Sequence, residues 1–303
     1  MPDPITTTSG LAAMYVSTVT SVPADTPFLP LLTGSFSQPA GGNPTGVMVE
    51  AAYRHHAINA RYVNCEVSPA GLAEAVRGAW AMGWLGFNCS LPHKVAVLDH
   101  LTGLGESARV IGAVNCAVRT DEGFVGENTD GKGFLESLRT VVDPAGLRVV
   151  MYGAGGAARA CAVELALAGA SSVQVVNRDV GRGAELVRLL TERTPVAATL
   201  DPWTPRHRVP DADLVLNATS VGLAPDVDAE LDLDPDSLPP EAVVADVVFN
   251  PTRTRLLRWA EQRGCRTLDG RGMLVNQAVV GVRLWTGVDV DPAVMRAELD
   301  RVL

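Results

Sequence analysis

The sequence predicts an α/β protein of two domains, on three observations. The chain has 303 residues, of which 47% are hydrophobic, enough for a sizeable core and longer than the about 250–300 residues at which single cores stop growing. Strand-like and helix-like segments alternate in two separate series. The second of those series opens on a glycine-rich turn between a β-rich run and a helical one.

Taken in order, residues 1–28 are rich in Thr, Ser, Pro and Ala without periodicity, and are expected to form a loosely ordered arm or an added strand. The first series then reads as a strand over Leu31–Phe36, a helix over Thr45–Ile58, a strand over Ala60–Val67, a helix over Ser68–Met82, a strand over Leu85–Ser90 and a helix from Pro92. Ser68 as N-cap, Pro69 in the first turn and Gly83 after the last turn delimit one of these helices well. The βαβαβ pattern implies a largely parallel sheet covered by helices. Ala113–Val118 and Phe124–Gly126 flank a turn and read as a hairpin.

After a helix over Gly131–Val142, the second series runs from Arg148–Tyr152 through a helix over Ala157–Ala168 to strands at Ser172–Val176, Asp213–Leu216 and Val243–Val248. Met273–Trp285 is an amphipathic helix, and Asp291-Pro292 caps a final one. The expected division is a substrate-binding α/β domain over 1–130 and a dinucleotide-type domain over 131–270. The C-terminal helices, 271–303, return to the first domain, and the active site is expected in the cleft between the two.

Charge and cysteine usage remove several function classes. A net charge of −9 lacks the basic footprint of a nucleic-acid binder. No apolar run approaches the ~18–20 residues that cross a bilayer, and Lys and Arg are absent before Arg54, so no signal-peptide n-region is seen and a cytoplasmic protein is expected. Cys65, Cys89, Cys116, Cys161 and Cys265 are odd in number and form no CxxC pair, which argues against a disulfide framework and a metal site. The expected partner is a small molecule, and the expected state is monomer or homodimer.

The run Gly153-Ala154-Gly155-Gly156-Ala157-Ala158 fits G-x-G-x-x-A after a strand and at the start of a helix. Glycines there let backbone N–H groups approach a pyrophosphate, which rests on the helix N-terminus. At the end of the next strand an NAD site places Asp or Glu; here the residues are Asn177-Arg178-Asp179, with Arg182 one helical turn beyond Arg178. Two guanidiniums at that spacing fork a 2′-phosphate, which favours NADP over NAD. Asp179 cuts the other way, and the alternative for the arginines is an ordinary solvated basic face.

Only two of the 25 basic residues are lysines, Lys94 and Lys132. Lys94 follows a strand end and Pro92, in the first turn of a helix, where the macrodipole opposes a cation and lowers an ammonium pKa toward the range a proton-transferring lysine needs. Surface solvation is the alternative. Asp130, at the start of the Gly131–Val142 helix, reads either as an N-cap or as a carboxylate that hydrogen-bonds Lys94. An amine and a carboxylate without a metal cluster or a Ser/His/Asp set suit hydride transfer with one proton relay.

The separated blocks Asn88–Lys94, Gly112–Asn115, Glu127–Gly131, Gly153–Arg159, Asn177-Arg178, Asn217–Gly222 and Asp269–Ala278 resemble, in order and spacing, those of the shikimate dehydrogenase family, from about Leu31 to the C-terminus. The resemblance implies NADP-linked reduction of 3-dehydroshikimate to shikimate with Lys94 and Asp130 as the catalytic pair. It implies that Ser90, Asn115, Asp130 and Gln277 bind the substrate's hydroxyls, and that Thr219, Ser220, Val247, Gly270 and Met273 face the cofactor.

The chain departs from the family pattern in three respects. Asn43 and Thr45 stand where a pair of serines binds the substrate carboxylate. Phe249 stands where a tyrosine lies near the substrate, and Asp179 beside Arg178 weakens the preference for NADP. The first two departures open a quinate or aminoshikimate dehydrogenase as the alternative, and a non-catalytic NADP-binding sensor is a second one.

Overall fold

The protein, a computed structural model, is described over residues 28–303, so the expected N-terminal arm lies outside the described residues except for Phe28. The chain separates into two compact units, one ending at Thr129 and rejoined by Ala278–Leu303, the other Asp130–Gln277.

In the first unit β1 (Leu31–Ser37), β2 (Ala60–Glu66), β3 (Gly86–Cys89), β4 (Gly103–Leu104), β5 (Cys116–Thr120) and β6 (Gly123–Glu127) form a sheet in the order β2-β1-β3-β5-β6-β4. β1, β2 and β3 are parallel, as the βαβαβ pattern requires. The hairpin of β5 and β6 joins antiparallel to β3, which makes the sheet mixed rather than largely parallel. An aromatic stack forms part of its core: Phe36 lies 4.4 Å from Phe87, which meets Phe124 edge-on at 4.9 Å.

The helices of this unit before Thr129 are α1 (Thr45–His55), α2 (Leu72–Ala81), α3 (His93–Ala96) and α4 (Glu106–Ile111). α1 stops short of Ile58 because Ala57 turns left-handed at φ 53°. Ser68 caps as expected, accepting from the Gly71 N–H at 3.3 Å, but the residues after it form a 3₁₀ turn before α2 begins. α3 is a single turn that passes directly into a 3₁₀ turn over Val97–His100. So short a helix sums few peptide dipoles, and the expected macrodipole effect on Lys94 is small.

The second unit opens with α5 (Thr129–Arg139), followed by β7 (Arg148–Tyr152), α6 (Gly156–Leu167), β8 (Ser172–Asn177), α7 (Val180–Arg193), β9 (Ala197–Pro202), β10 (Leu214–Asn217), β11 (Val243–Asp246), α8 (Arg255–Gln262), β12 (Arg266–Leu268) and α9 (Gly270–Thr286). Its sheet is wholly parallel in the order β12-β11-β10-β7-β8-β9. Numbered from β7, that is the 3-2-1-4-5-6 order of dinucleotide-binding sheets, with the switch point between β7 and β10.

α9 is continuous, yet the division between units falls within it at Gln277, not at residue 271 as the sequence suggested. Its first half packs on α5 so tightly that a Cβ on Gly133 would lie 2.4 Å from the Gln277 backbone nitrogen and 2.7 Å from the Met273 carbonyl oxygen. Its second half belongs to the other unit, where the Trp285 indole donates to the Ala117 carbonyl at 3.0 Å. The final helix, α10 (Pro292–Val302), packs against α1.

Lys132, the second lysine, pairs with Glu164 at 3.0 Å, tying α5 to α6 with both side chains largely buried. Among the described residues no helix is long and apolar enough to cross a membrane, and no group of three or more His, Cys, Asp and Glu side chains is placed to hold a metal ion.

Candidate functional site

In the first unit the strand register sets polar side chains side by side. Ser35 on β1 pairs with Asn64 on β2 and with Asn88 on β3. Its hydroxyl donates to Asn64 Oδ1 at 2.9 Å, and Asn64 Nδ2 donates to the Asn43 carbonyl at 3.1 Å. Asn43 Nδ2 reaches Ser35 Oγ at 3.4 Å while its Oδ1 accepts the Thr45 N–H at 3.0 Å. Asn43 is thereby locked in place and dictates the entry into α1.

A second chain runs from Asn88. Its Oδ1 accepts from the Tyr62 hydroxyl at 2.8 Å and its Nδ2 donates to the Asn115 carbonyl at 3.0 Å. Asn115 in turn accepts the Thr129 N–H at 2.6 Å and donates to the Thr129 hydroxyl at 3.0 Å. Backbone bonds bring in the remaining predicted residues: Ser90 N–H donates to the Phe36 carbonyl at 3.1 Å, and Val114 N–H to the Lys94 carbonyl at 2.8 Å. The half-buried Lys94 ammonium is close enough to act on Cys89, whose thiol burial pushes up to about 12 while the lysine's charge pulls it down.

Asn43, Thr45, Ser90, Lys94 and Asn115 are thus gathered around the carboxyl ends of β1 and β3. Ser35, Tyr62, Asn64 and Asn88 complete the network and were not among the predicted residues. The signal for them is a polar residue recurring inside short apolar strands, in Gly34-Ser35-Phe36, Val63-Asn64-Cys65 and Phe87-Asn88-Cys89. Ser35 and Asn88 are buried and paired, as buried polar groups must be, and Asn64 meets them from the exposed edge strand. Beside this network a cleft of about 440 Å³ runs along α1, lined by Glu50, Arg54, Tyr62, Asn64 and Glu298 among others; neither Lys94 nor Ser90 reaches it.

In the second unit Gly153 follows β7 with φ 112°, and a Cβ there would lie 2.8 Å from the Ala218 carbonyl oxygen. Only glycine fits, and the close approach sets the turn beside Thr219. A Cβ built on Gly155 or Gly156 meets nothing within 4 Å, so the first turn of α6 is open. Ala154 and Ala157 flank this opening, half-buried. The first N–H groups of a helix have no acceptor within it, and with the approach clear the turn fits a pyrophosphate.

Asn177 ends β8, donating to the Asp179 carbonyl at 2.7 Å. Asp179 is the N-cap of α7: its Oδ1 accepts the Arg182 N–H at 3.1 Å and its Oδ2 lies 3.6 Å from Arg182 Nε. Its carboxylate is engaged by the helix it caps, which accounts for an acidic residue in an arginine-rich corner.

Across the switch point the Thr219 hydroxyl donates to Asn217 Oδ1 at 2.7 Å, and Asn217 Nδ2 donates to Asp246 Oδ1 at 2.9 Å. Asp246 also accepts from the Val248 N–H at 2.9 Å and the Thr254 hydroxyl at 2.7 Å. Burial nonetheless pushes this carboxyl up to about 6, against the pull of those hydrogen bonds. The chain holds the Thr219-Ser220 turn and the Val247–Phe249 segment together. Gly270 completes the corner, where its Cβ would lie 2.5 Å from the Val247 carbonyl oxygen, and the Phe249 carbonyl accepts from Arg271 Nε at 3.1 Å.

Asp130 lies in the first turn of α5, which begins one residue earlier, so it is a helical residue and not the N-cap. Its charge acts on Cys161 of α6, whose thiol is raised by burial first and by Asp130 second. Met273 and Gln277 reach the same helix through the close packing at Gly133. Gln277 is buried, its amide donating to the Leu274 carbonyl at 3.0 Å.

Comparison with known proteins adds the following. Residues 37–117 match the family described as shikimate dehydrogenase substrate binding domain, and residues 270–299 the shikimate 5′-dehydrogenase C-terminal domain. The chain is 41% identical to a shikimate dehydrogenase (NADP(+)) of Moorella thermoacetica, over 90% of this chain and 92% of that protein. A ligand-free structure of 5-ketofructose reductase from Gluconobacter sp. strain CHM43 superposes with a TM-score of 0.89 at 53% identity, covering 91% of this chain and 100% of that one. Shikimate 5-dehydrogenase from Listeria monocytogenes, in complex with shikimate and NAD, superposes with a TM-score of 0.85 at 31% identity, covering 89% and 96%.

Proposed function

Because the chain belongs to the shikimate dehydrogenase family, we propose that it is an NADP-linked oxidoreductase interconverting 3-dehydroshikimate and shikimate. The observation that carries the reading is a substrate-domain match over residues 37–117 that contains Asn43, Thr45, Ser90, Lys94 and Asn115, joined in one chain to a 3-2-1-4-5-6 sheet with an open glycine turn. The cofactor supplies a hydride to the carbonyl carbon. Lys94 delivers the proton to the oxygen that becomes the hydroxyl, with Asp130 as its carboxylate partner, while Asn115 and Gln277 orient the ring hydroxyls. Gly153–Ala157 hold the pyrophosphate, and Arg178 and Arg182 select the 2′-phosphate.

A second reading rests on the 53% identity to 5-ketofructose reductase, together with Asn43 and Thr45 at the positions expected to hold a carboxylate. 5-Ketofructose is a neutral ketose without a carboxylate, and reducing its carbonyl likewise needs a hydride and a proton. The two readings separate in one assay, NADPH oxidation with 3-dehydroshikimate or 5-ketofructose. Turnover of the first supports the proposal, turnover of 5-ketofructose alone replaces it with the second, and turnover of neither removes both. With the active substrate, Lys94→Ala should lower kcat by about 10²–10⁴-fold with little change in KM; unaltered turnover removes Lys94 from the chemistry.

A further inference from the structure

An exposed arginine samples many rotamers, and an anion that recruits it must freeze them. Arg178, on which the preference for a phosphorylated nucleotide rests, is exposed at the end of β8. Its guanidinium carbon lies 5.4 Å from the centroid of the Trp203 ring. We propose that Trp203 is the platform that positions Arg178 and thereby sets discrimination between nucleotides with and without a 2′-phosphate. The inference rests on the dinucleotide reading above and adds to it a residue outside the glycine turn and the arginine pair.

The placement follows from the sheet. β9 pairs with β8 so that Pro202 stands opposite Asn177, and Trp203 N–H extends the ladder to the Asn177 carbonyl at 3.4 Å. The next residue on β8's side is Arg178, so strand pairing alone delivers the indole to the arginine.

The ring is then held from two further sides. Its Nε1 donates to the Asp232 carbonyl at 2.8 Å, and the Tyr152 ring, fully buried, meets it edge-on at 5.2 Å. Tyr152 is itself fixed by a polar chain that runs out to the surface: its hydroxyl bonds His207 Nδ1 at 2.9 Å, His207 Nε2 bonds Asp201 Oδ2 at 3.1 Å, and Gln174 donates to the same carboxylate oxygen at 2.9 Å. Tyr152 is also the residue immediately before Gly153, so one rigid group supports both the glycine turn and the arginine's platform.

Stacking uses the face of a guanidinium and leaves its N–H donors in the plane around the rim, where phosphate oxygens bind. A carboxylate partner would instead occupy those donors and neutralise the charge. The neighbouring carboxylate, Asp179, is turned to Arg182 and to the start of α7. Arg178 on an indole is therefore poised for an anion in a way that an arginine in an ion pair is not.

The experiment measures the dissociation constants of NADP⁺ and NAD⁺ by calorimetry for the wild-type chain, Trp203→Leu, Trp203→Phe, Arg178→Leu and the Trp203→Leu/Arg178→Leu double variant. Trp203→Leu should weaken NADP⁺ by about two- to five-fold, the worth of an exposed cation–π contact, and leave NAD⁺ within a factor of two. Trp203→Phe should retain most of the NADP⁺ affinity, and Trp203→Leu should add no further loss in the Arg178→Leu background. Equal losses for both nucleotides, as an indole stacked on adenine would give, overturn the proposal, and so do additive losses in the double variant. If Trp203→Leu fails to fold, Trp203→Met, which keeps apolar bulk without an aromatic face, takes its place alone and in the Arg178→Leu background, with the same expected and overturning results. A wild-type chain that binds NADP⁺ no better than NAD⁺ refutes the cofactor reading itself, a result distinct from loss of the Trp203 effect alone.

Discussion

Asp246→Asn tests whether the loop across the switch point is held by a carboxyl that the fold prefers protonated. Asp246 is 2% exposed and its carboxyl is pushed from the ordinary 3.8 up to about 6. A group whose folded pKa is raised stabilises the fold fully below its unfolded value, and that contribution is lost as pH rises through the folded value. A difference of about two pH units at about 1.36 kcal/mol each, part of it already lost at pH 4 just above the unfolded value, makes the wild-type chain about 2 kcal/mol less stabilised by this group at pH 7 than at pH 4. In Asp246→Asn the Oδ1 still accepts from Asn217 and Val248, and the amide nitrogen donates to the Thr254 hydroxyl, but nothing titrates. The stability of the variant relative to wild type should therefore rise by about 2 kcal/mol from pH 4 to pH 7, whatever the fixed effect of the amide. Urea unfolding at a series of pH values, followed by circular dichroism, measures that double difference. Parallel curves for the two proteins across the window would falsify the assignment of a buried, proton-holding carboxyl at this position.

Substitutions at two further positions test the second unit. Gly133→Ala places a methyl group within 2.4 Å of backbone in α9, where no side chain can turn aside, and overpacking of this kind destabilises by about 1–3 kcal/mol; an unchanged urea midpoint would show that α5 and α9 are further apart. Glu164→Ala removes the carboxylate 3.0 Å from the Lys132 ammonium in a mostly buried setting. Breaking such a pair destabilises by about 3–5 kcal/mol, and Glu164→Gln, which keeps an acceptor, should lose less in the same denaturation measurement.

What the sequence disclosed and what it withheld follow from how local each signal is. The Ser68 cap, the strand at Arg148–Tyr152, the glycine turn and the helix after it are written in residues a few positions apart, and sequence reading finds them. β9 escaped because it is an edge strand of Ala, Thr, Leu, Asp and Pro with a half-exposed pattern, and edge strands need neither a continuous apolar run nor strict alternation. α1 was extended too far because Ala57 gives no warning of its left-handed turn. The division of α9 between units was invisible because the helix itself is unbroken in pattern.

The same reasoning separates the candidate site residues that stand out along the sequence from those that do not. Lys94, Asp130, Arg178 and the glycines are unusual for their local setting, so a scan along the chain stops at them. Ser35, Asn64 and Asn88 are ordinary residues one at a time, and what makes them a network is the register of three strands separated by long stretches of chain. Trp203 is the extreme case, since its only claim to importance is that β9 pairs with β8 beside Arg178. A residue that does chemistry advertises itself by type, whereas a residue that holds another in place is defined by its neighbours. On the proposed function, specificity for nucleotide and substrate rests on residues of the second sort, Ser35 and Asn64, which hold Asn43, and Trp203, on which Arg178 sits, where variation can redirect binding while leaving Lys94 and Asp130 untouched.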